Sequence, residues 1–186
     1  MGTEHNIVHG VIHAYKEIEL FGDGPKAQEL TGIVKQHALA ATGAAFIPVP
    51  GLDLAALVIN TWTMYMRINS AVGISFGENA LKSIAGGVIA NVATAIPAVV
   101  IGSLAGSALK FLPGLGTAGG IAVGAAANIA MLYVAGKVYL KSLEVLLHSG
   151  KPLTEENIKN AAKDVAKDRA FVKGAYAEGK DAAKDR

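Results

Sequence analysis

Between Lys82 and Lys110 the chain runs for 27 residues, SIAGGVIANVATAIPAVVIGSLAGSAL, without a formal charge, and between Lys110 and Lys137 for 26 more, FLPGLGTAGGIAVGAAANIAMLYVAG. Nothing else in the sequence limits the fold as strongly, because two such runs must be taken out of water together. A bilayer-spanning helix needs about 20 mainly apolar residues. The runs therefore predict a long helical hairpin, 83–136, lying in lipid and turning at Lys110 and Pro113-Gly114. At about 1.5 Å per residue each arm exceeds a ~30 Å hydrocarbon layer, so tilt or frayed ends absorb the surplus. Pro97, inside the first run, is expected to kink it.

An earlier stretch, HALAATGAAFIPVPGLDLAALVINTWTMYM at 37–66, holds one charged residue, Asp53. The PVPG within it divides it into arms too short to span separately, which predicts a shorter hairpin, re-entrant, interfacial or packed on the first. Both stretches pass from an Ala-rich helix through FIP or FLP and PGL into a second apolar helix, a pattern that suggests internal duplication. Asp53 is the one intramembrane polar candidate. An ionised carboxylate at mid-bilayer costs roughly 2.5–3.5 kcal/mol. Its position after Pro50-Gly51 favours an acid in the first turn of a helix, held by the helix dipole, over a proton or ion site.

The glycine pattern admits two readings. Gly114-x-Gly116-x-x-Gly119 matches a dinucleotide-binding fingerprint, but that motif follows a strand and is answered about 20 residues later by an acid. Here GSLAGSALK precedes it, and the next acid is Glu144. Helix packing accounts for more of the glycines. Gly86, Ala90, Thr94, Ala98, Gly102 and Gly106 recur at every fourth residue, as do Gly116, Gly120, Gly124 and Asn128. Such spacing lines one helix face with small residues and lets backbones approach closely. These two stripes are the predicted helix-packing and oligomerisation surfaces, within a hairpin or between subunits.

The ends differ in kind. Residues 1–30 are expected to form an amphipathic helix with Ile7, Val11, Tyr15 and Ile18 on one face, broken by GDGP, with a helix restarting near Pro25. Residues 151–186 carry 9 Lys or Arg and 7 Asp or Glu, with a thin apolar stripe at Ile158, Ala162, Val165, Val172 and Tyr176. Thr154 is the predicted N-cap of this solvated helix, which is expected to fray after Gly179 and which could dock on a partner or on anionic lipid. The start, MGTEHNIVHG, lacks the pattern of a secretory signal, and Asn6 stands where myristoylation requires Ser or Thr.

Composition narrows the chemistry. Apolar residues make up 52% and charged residues 17%, below the roughly 25% usual for soluble domains, and there is no cysteine to supply a disulfide, a zinc thiolate or a thiol nucleophile. His5, His9 and His13 share a helix face without a further ligand, which predicts a solvated row rather than a metal site. His37 and His148 read as interface residues. Asn60, Asn91 and Asn128 read as hydrogen-bonding between helices. Trp62, Tyr65, Tyr133 and Tyr139 lie near run ends, where rings favour the membrane interface. With no catalytic triad, paired carboxylates or basic groove in view, the expectation is a non-enzymatic protein without cofactor, metal or nucleic acid. Arg67, Lys82, Lys137 and Lys141 at the outer ends, against Lys110 at the tip, place both termini in the cytoplasm.

The stretch from HALAATGAAFIPVPGLDLAAL through ALKFLPGLGTAGG to YVAGKVYLKSLEVLLHSGKPL resembles the YcjF-type, GTPase-associated hydrophobic domain family of unknown function, over about residues 33–152. The resemblance implies a bacterial cytoplasmic (inner) membrane protein, often fused to or encoded beside a dynamin-like or Era-like GTPase. This chain has no GTPase domain, so a GTPase would act in trans, and the family supplies no catalytic residue. The Ala/Gly-rich hairpin framed by charged helices is also similar to the pore-forming domain of colicins.

The sequence thus predicts an all-α fold, a helical membrane protein built from Gly/Ala-rich apolar hairpins with amphipathic terminal helices. Residues 1–30 form the N-terminal helix and break, 31–148 the membrane domain, and 149–186 the charged C-terminal helix. The expected role is a self-associating membrane anchor or scaffold; a pore-former is the competing class, and a soluble Ala-rich bundle, in which such stripes also occur, is a third.

Overall fold

The computed structural model describes residues 24–41, 52–95 and 118–184, with side chains over 24–41, 56–95 and 128–184. All regular structure among them is helical: α1 (Pro25–Ala40), α2 (Leu52–Val72), α3 (Glu78–Ala95), α4 (Ala118–His148), α5 (Glu155–Lys167) and α6 (Arg169–Lys184).

Local chemistry sets most of these boundaries. α1 opens with Pro25 at its first position, where the fixed φ suits a helix and the missing N–H is no loss, and Gly24 serves as N-cap. α2 ends at Gly73, whose φ of 71° closes a left-handed cap. Gly73 N–H donates to Ser70 O and Ile74 N–H to Asn69 O, satisfying two terminal carbonyls. The same device, with Gly150 at φ 65°, ends α4. There Gly150 N–H reaches Leu147 O and Lys151 N–H reaches Leu146 O, and Pro152 follows. Thr154 caps α5, its hydroxyl accepting from Asn157 N–H at 3.2 Å, as the sequence predicts. One extended residue, Asp168, separates α5 from α6, and its Oδ1 accepts from Ala170 and Phe171 N–H at 3.0 Å each.

α4 is the axis of the molecule, since α1, α2, α3, α5 and α6 all pack against it, α6 most extensively. Along 128–147 every side chain is buried except Lys137, Lys141 and Val145. Around it the other helices each offer an apolar face: Leu30, Val34 and Ala38 from α1, Met64, Ile68 and Val72 from α2, Ile84, Val88 and Val92 from α3. Fully burying a Leu, Ile or Val side chain is worth roughly 1.5–3 kcal/mol, so this sheath is the main source of cohesion.

This arrangement bears on the two ends of the expected spanning hairpin 83–136. Among the described residues no helix is long and apolar enough to cross a membrane. In the first arm, 83–95 belongs to α3, which buries Ile84, Ala85, Val88, Ile89 and Val92 and exposes its other face. In the second arm, 128–136 lies inside a jacket of the chain's own helices. Residues 96–117, with Pro97 and the turn at Lys110, lie outside the described residues. Burial answers the low charge of 128–136, and it does so with protein rather than lipid.

The C-terminal region also differs from expectation. It is two packed helices, not one solvated helix. Helix continues past Gly179 to Lys184, with Gly179 itself buried. Ile158, Ala162 and Val172 of the predicted stripe are buried, and Ala166, Ala175 and Ala182 extend it. The helix and histidine row expected within 1–23 lie outside the described residues.

Candidate functional site

Two features stand out once the helices are in place: a polar seam beside α4, and an uncharged outward strip on α3.

The seam joins α2 to α4. Tyr65 and Tyr139 stack with ring centroids 3.8 Å apart and planes inclined by 13°. Neither ring reaches solvent. Tyr65 hydroxyl donates to Ala135 O at 3.0 Å, and Tyr139 hydroxyl donates to Asn69 Oδ1 at 2.8 Å. Burial pushes both phenols well above their ordinary range, the neighbouring Tyr139 adding to the effect at Tyr65 and the Asn69 hydrogen bond opposing it at Tyr139. Both rings stay neutral at physiological pH, and the seam is a register lock between helices. These rings were expected at a membrane interface. The structure puts them at the centre of the protein, where the stacked pair has both hydroxyls satisfied and the unpaired buried group is instead Asn69 Nδ2.

Other polar groups serve the same purpose. Asn60 bridges α2 to α1, its Nδ2 donating to His37 O at 2.9 Å while Oδ1 lies 2.7 Å from His37 Nδ1. This is the interhelical role expected of Asn60, and it engages His37 within the chain. Asn128 is buried, Asn91 is half-buried and His148 is exposed at the end of α4. The buried hydroxyls of Thr61 and Ser142 turn back to carbonyls of their own helices. Tyr133 hydroxyl donates to Glu178 Oε2 at 3.1 Å, and Lys137 lies 3.3 Å from the same oxygen. The cations used to infer orientation are engaged within the chain: Arg67 donates to Gln36, Lys82 pairs with Glu78 beneath the face of Trp62, and Lys141 pairs with Glu144. Among the described residues no group of three metal-binding side chains comes together.

The strip is what remains of the predicted small-residue stripes. Ala90 and Thr94 are exposed and Gly86 is half-buried, with no atom within 4 Å of where a methyl on Gly86 would lie. Thr94 hydroxyl donates only to Asn91 O on its own helix. Gly86 and Ala90 therefore face away from the other described helices, while Thr94 borders a groove shared with α5 and α6. Ala98, Gly102, Gly106 and Gly116 lie outside the described residues. Gly120 and Gly124 lie in the first half of α4. Asp53 is the second residue of α2, in the first turn as expected.

The glycines that bring helices together inside the chain are others, which spacing did not identify. A methyl on Gly136 would lie 2.6 and 2.7 Å from the two methyls of Val34 and 3.1 Å from Met64 Sδ. One on Gly179 would lie 2.8 Å from Tyr133 Cβ and 2.9 Å from Ala130 Cα. Each is a single glycine opposite a bulky partner, and the one signal in the sequence was an isolated glycine inside an otherwise apolar helical stripe.

No family model matches the chain, and no solved structure matches it. The chain is similar to Magnetosome membrane protein 22 of Magnetospirillum gryphiswaldense, with 31% identity over 116 residues, 60% of this chain and 56% of that protein. It thus spans little more than half the length of that relative.

Proposed function

We propose that this chain is a non-enzymatic, helical, membrane-associated protein that self-associates and acts as an anchor or scaffold on a bacterial membrane, with both termini on the cytoplasmic side. The observation that carries the reading is the outward strip of α3 at Gly86 and Ala90. It is uncharged and belongs to the run that continues without a charge to Leu109. A smooth strip of this kind suits close approach of a second helix in a medium where water does not drive association. Similarity to a protein whose name places it in the magnetosome membrane supports the membrane half. The resemblance to GTPase-associated hydrophobic domains extends the proposal to a GTPase bound in trans.

Membrane fractionation of the native protein, followed by sizing in mild detergent, tests this directly. Pelleting with membranes through a carbonate wash and a multimeric detergent species are expected. Release into the carbonate supernatant would end the membrane reading, and a monomer in detergent would end the scaffold.

A second reading, a pore-former, draws on the burial of 128–147 inside five other helices. A sheathed apolar helix is what a protein stored in water before insertion needs. Release of a trapped dye from vesicles by the purified chain would favour it; binding without leakage favours the scaffold.

A further inference from the structure

Where α3, α5 and α6 meet there is a groove of about 840 Å³ in which, among the described residues, every charged side chain is a cation: Lys163 and Lys167 from α5, Arg169 and Lys173 from α6. Ala95, Ala166 and Val172 form an apolar floor, and Asn91 and Thr94 of α3 supply polar atoms beside it. Tyr176 is half-buried in the wall, with Lys180 Nζ 6.0 Å from its ring centroid as a fifth cation close by.

Helical spacing sorts these charges. On α5, Lys159, Lys163 and Lys167 recur at every fourth residue along the edge toward α3, where Lys159 Nζ meets Ser83 Oγ at 3.0 Å. The neighbouring acids do not line this groove, although Asp164 reaches Lys167 from beside it. Asp164 and Asp168 line a separate groove of about 470 Å³ on a different face of α5, together with Lys141 and Lys151. Asp168 Oδ1 is occupied by the first amides of α6, and Asp164 holds Lys167 at 2.7 Å. The C-terminal ends of α3 and α5 each offer about half a negative charge, and the start of α6 returns about half a positive one. With Asp164 set against Lys167, this still leaves Lys163, Arg169 and Lys173 as an excess of positive charge.

The position of the groove adds chemistry to its charge. Its α3 wall, Asn91 to Ala95, belongs to the charge-free run between Lys82 and Lys110. A set of Lys and Arg with a tyrosine, facing a helix of that apolar run, matches the layered polarity of a membrane surface, where cations meet phosphates and aromatic rings favour the interface. We infer that the groove between α3, α5 and α6 binds the phosphate headgroups of anionic phospholipids through Lys163, Lys167, Arg169 and Lys173. The inference rests on the membrane reading above and names the lipid class and the residues that would confer it.

Co-sedimentation of the full chain with vesicles tests it, comparing phosphatidylcholine alone with phosphatidylcholine containing phosphatidylglycerol. Wild type is expected to prefer the anionic vesicles, with a preference that weakens as salt rises. A basic residue near an anionic surface contributes about five-fold to partitioning, so Lys163→Gln with Lys173→Gln is expected to lower binding about 25-fold. Lys35→Gln with Lys151→Gln, equal in charge and away from the groove, is expected to lower it much less. All four positions are exposed, and circular dichroism verifies the fold. Should the groove pair misfold, the single Arg169→Gln variant carries the test at about five-fold. Equal losses from the groove pair and the distant pair would overturn the site while leaving membrane association intact. Wild type that binds neither vesicle and does not pellet with native membranes would overturn the membrane reading itself. Full displacement by millimolar inorganic phosphate, or groove-dependent binding of a DNA duplex with no binding to vesicles, would overturn the lipid assignment.

Discussion

Gly136 and Gly179 sit where helices touch, whereas Gly86, with Ala90 in step behind it, faces away from the other described helices. The contrast separates two meanings of a small residue in an apolar helix. The spaced set makes a smooth strip available to something outside the described structure. The isolated pair is dictated by particular neighbours, Val34 and Met64 for Gly136 and the α4 backbone at Ala130 for Gly179. Close packing within a chain is set by the volume of the opposing side chain, which periodicity does not report. Periodicity reports a surface.

The largest expected effect concerns the packed side, where α4 also carries the stacked tyrosines. Tyr65 and Tyr139 both have raised pKa values, because burial disfavours the phenolate. Their contribution to stability is complete below about pH 10, where the unfolded chain begins to ionise, and is lost as pH rises toward the folded values. For two phenols the loss approaches about 2.7 kcal/mol per pH unit above that point. Helical circular dichroism and tyrosinate absorbance are expected to change together in alkali. Reversible ionisation of all tyrosines near pH 10 with the helices intact would show that the packed side is looser than described.

Next comes Gly179→Ala. The added methyl would meet backbone at 2.9 Å and Tyr133 Cβ at 2.8 Å, and neither can swing aside. Overpacking of this kind costs roughly 1–3 kcal/mol, against about 1 kcal/mol gained in helix propensity, so a net loss of about 2 kcal/mol at this tight position is expected in denaturant melts. Gly136→Ala faces side chains rather than backbone and is expected to lose about 1 kcal/mol. Here Val34→Ala sharpens the test, because the double variant is expected to recover about 1 kcal/mol relative to the sum of the single changes. Strict additivity would place the obstruction elsewhere.

Much of the local structure was legible in the sequence. Pro25 as a helix start, Thr154 as an N-cap, Asp53 in a first turn and the Asn60 bridge all follow from chemistry confined to a few residues. Ile158, Ala162 and Val172 were legible as an apolar stripe for the same reason, but not as one buried against the rest of the chain. What covers the apolar run was not. Hydropathy reports that 128–136 avoids water, and lipid and protein satisfy that demand equally well at the level of one helix. The deciding information lies in the amphipathic faces of α5 and α6, whose high charge made them read as a solvated tail. Tyr65 and Tyr139 misled similarly, since a ring with a hydroxyl suits an interface unless its partners, Ala135 O and Asn69, are known to be within reach. The basic groove was invisible because its cations come from two helices whose relative placement depends on one extended residue, Asp168.

The smallest expected effect has the opposite sign and bears most directly on the outward strip. With no atom within 4 Å of the added methyl, Gly86→Ala removes backbone freedom from the unfolded chain and meets no obstruction in the folded one. A gain of about 0.5–1 kcal/mol in monomer stability is expected. Gly86→Leu is expected to leave the monomer close to wild type and to abolish the detergent multimer, because a bulky side chain holds a facing helix out of backbone range. Together the two variants divide the possibilities. Loss of stability with alanine would mean that Gly86 packs within its own chain, like Gly136 and Gly179. Multimers that survive leucine would move self-association off α3, and the strip would then lose its claim to be the surface on which copies of this protein meet.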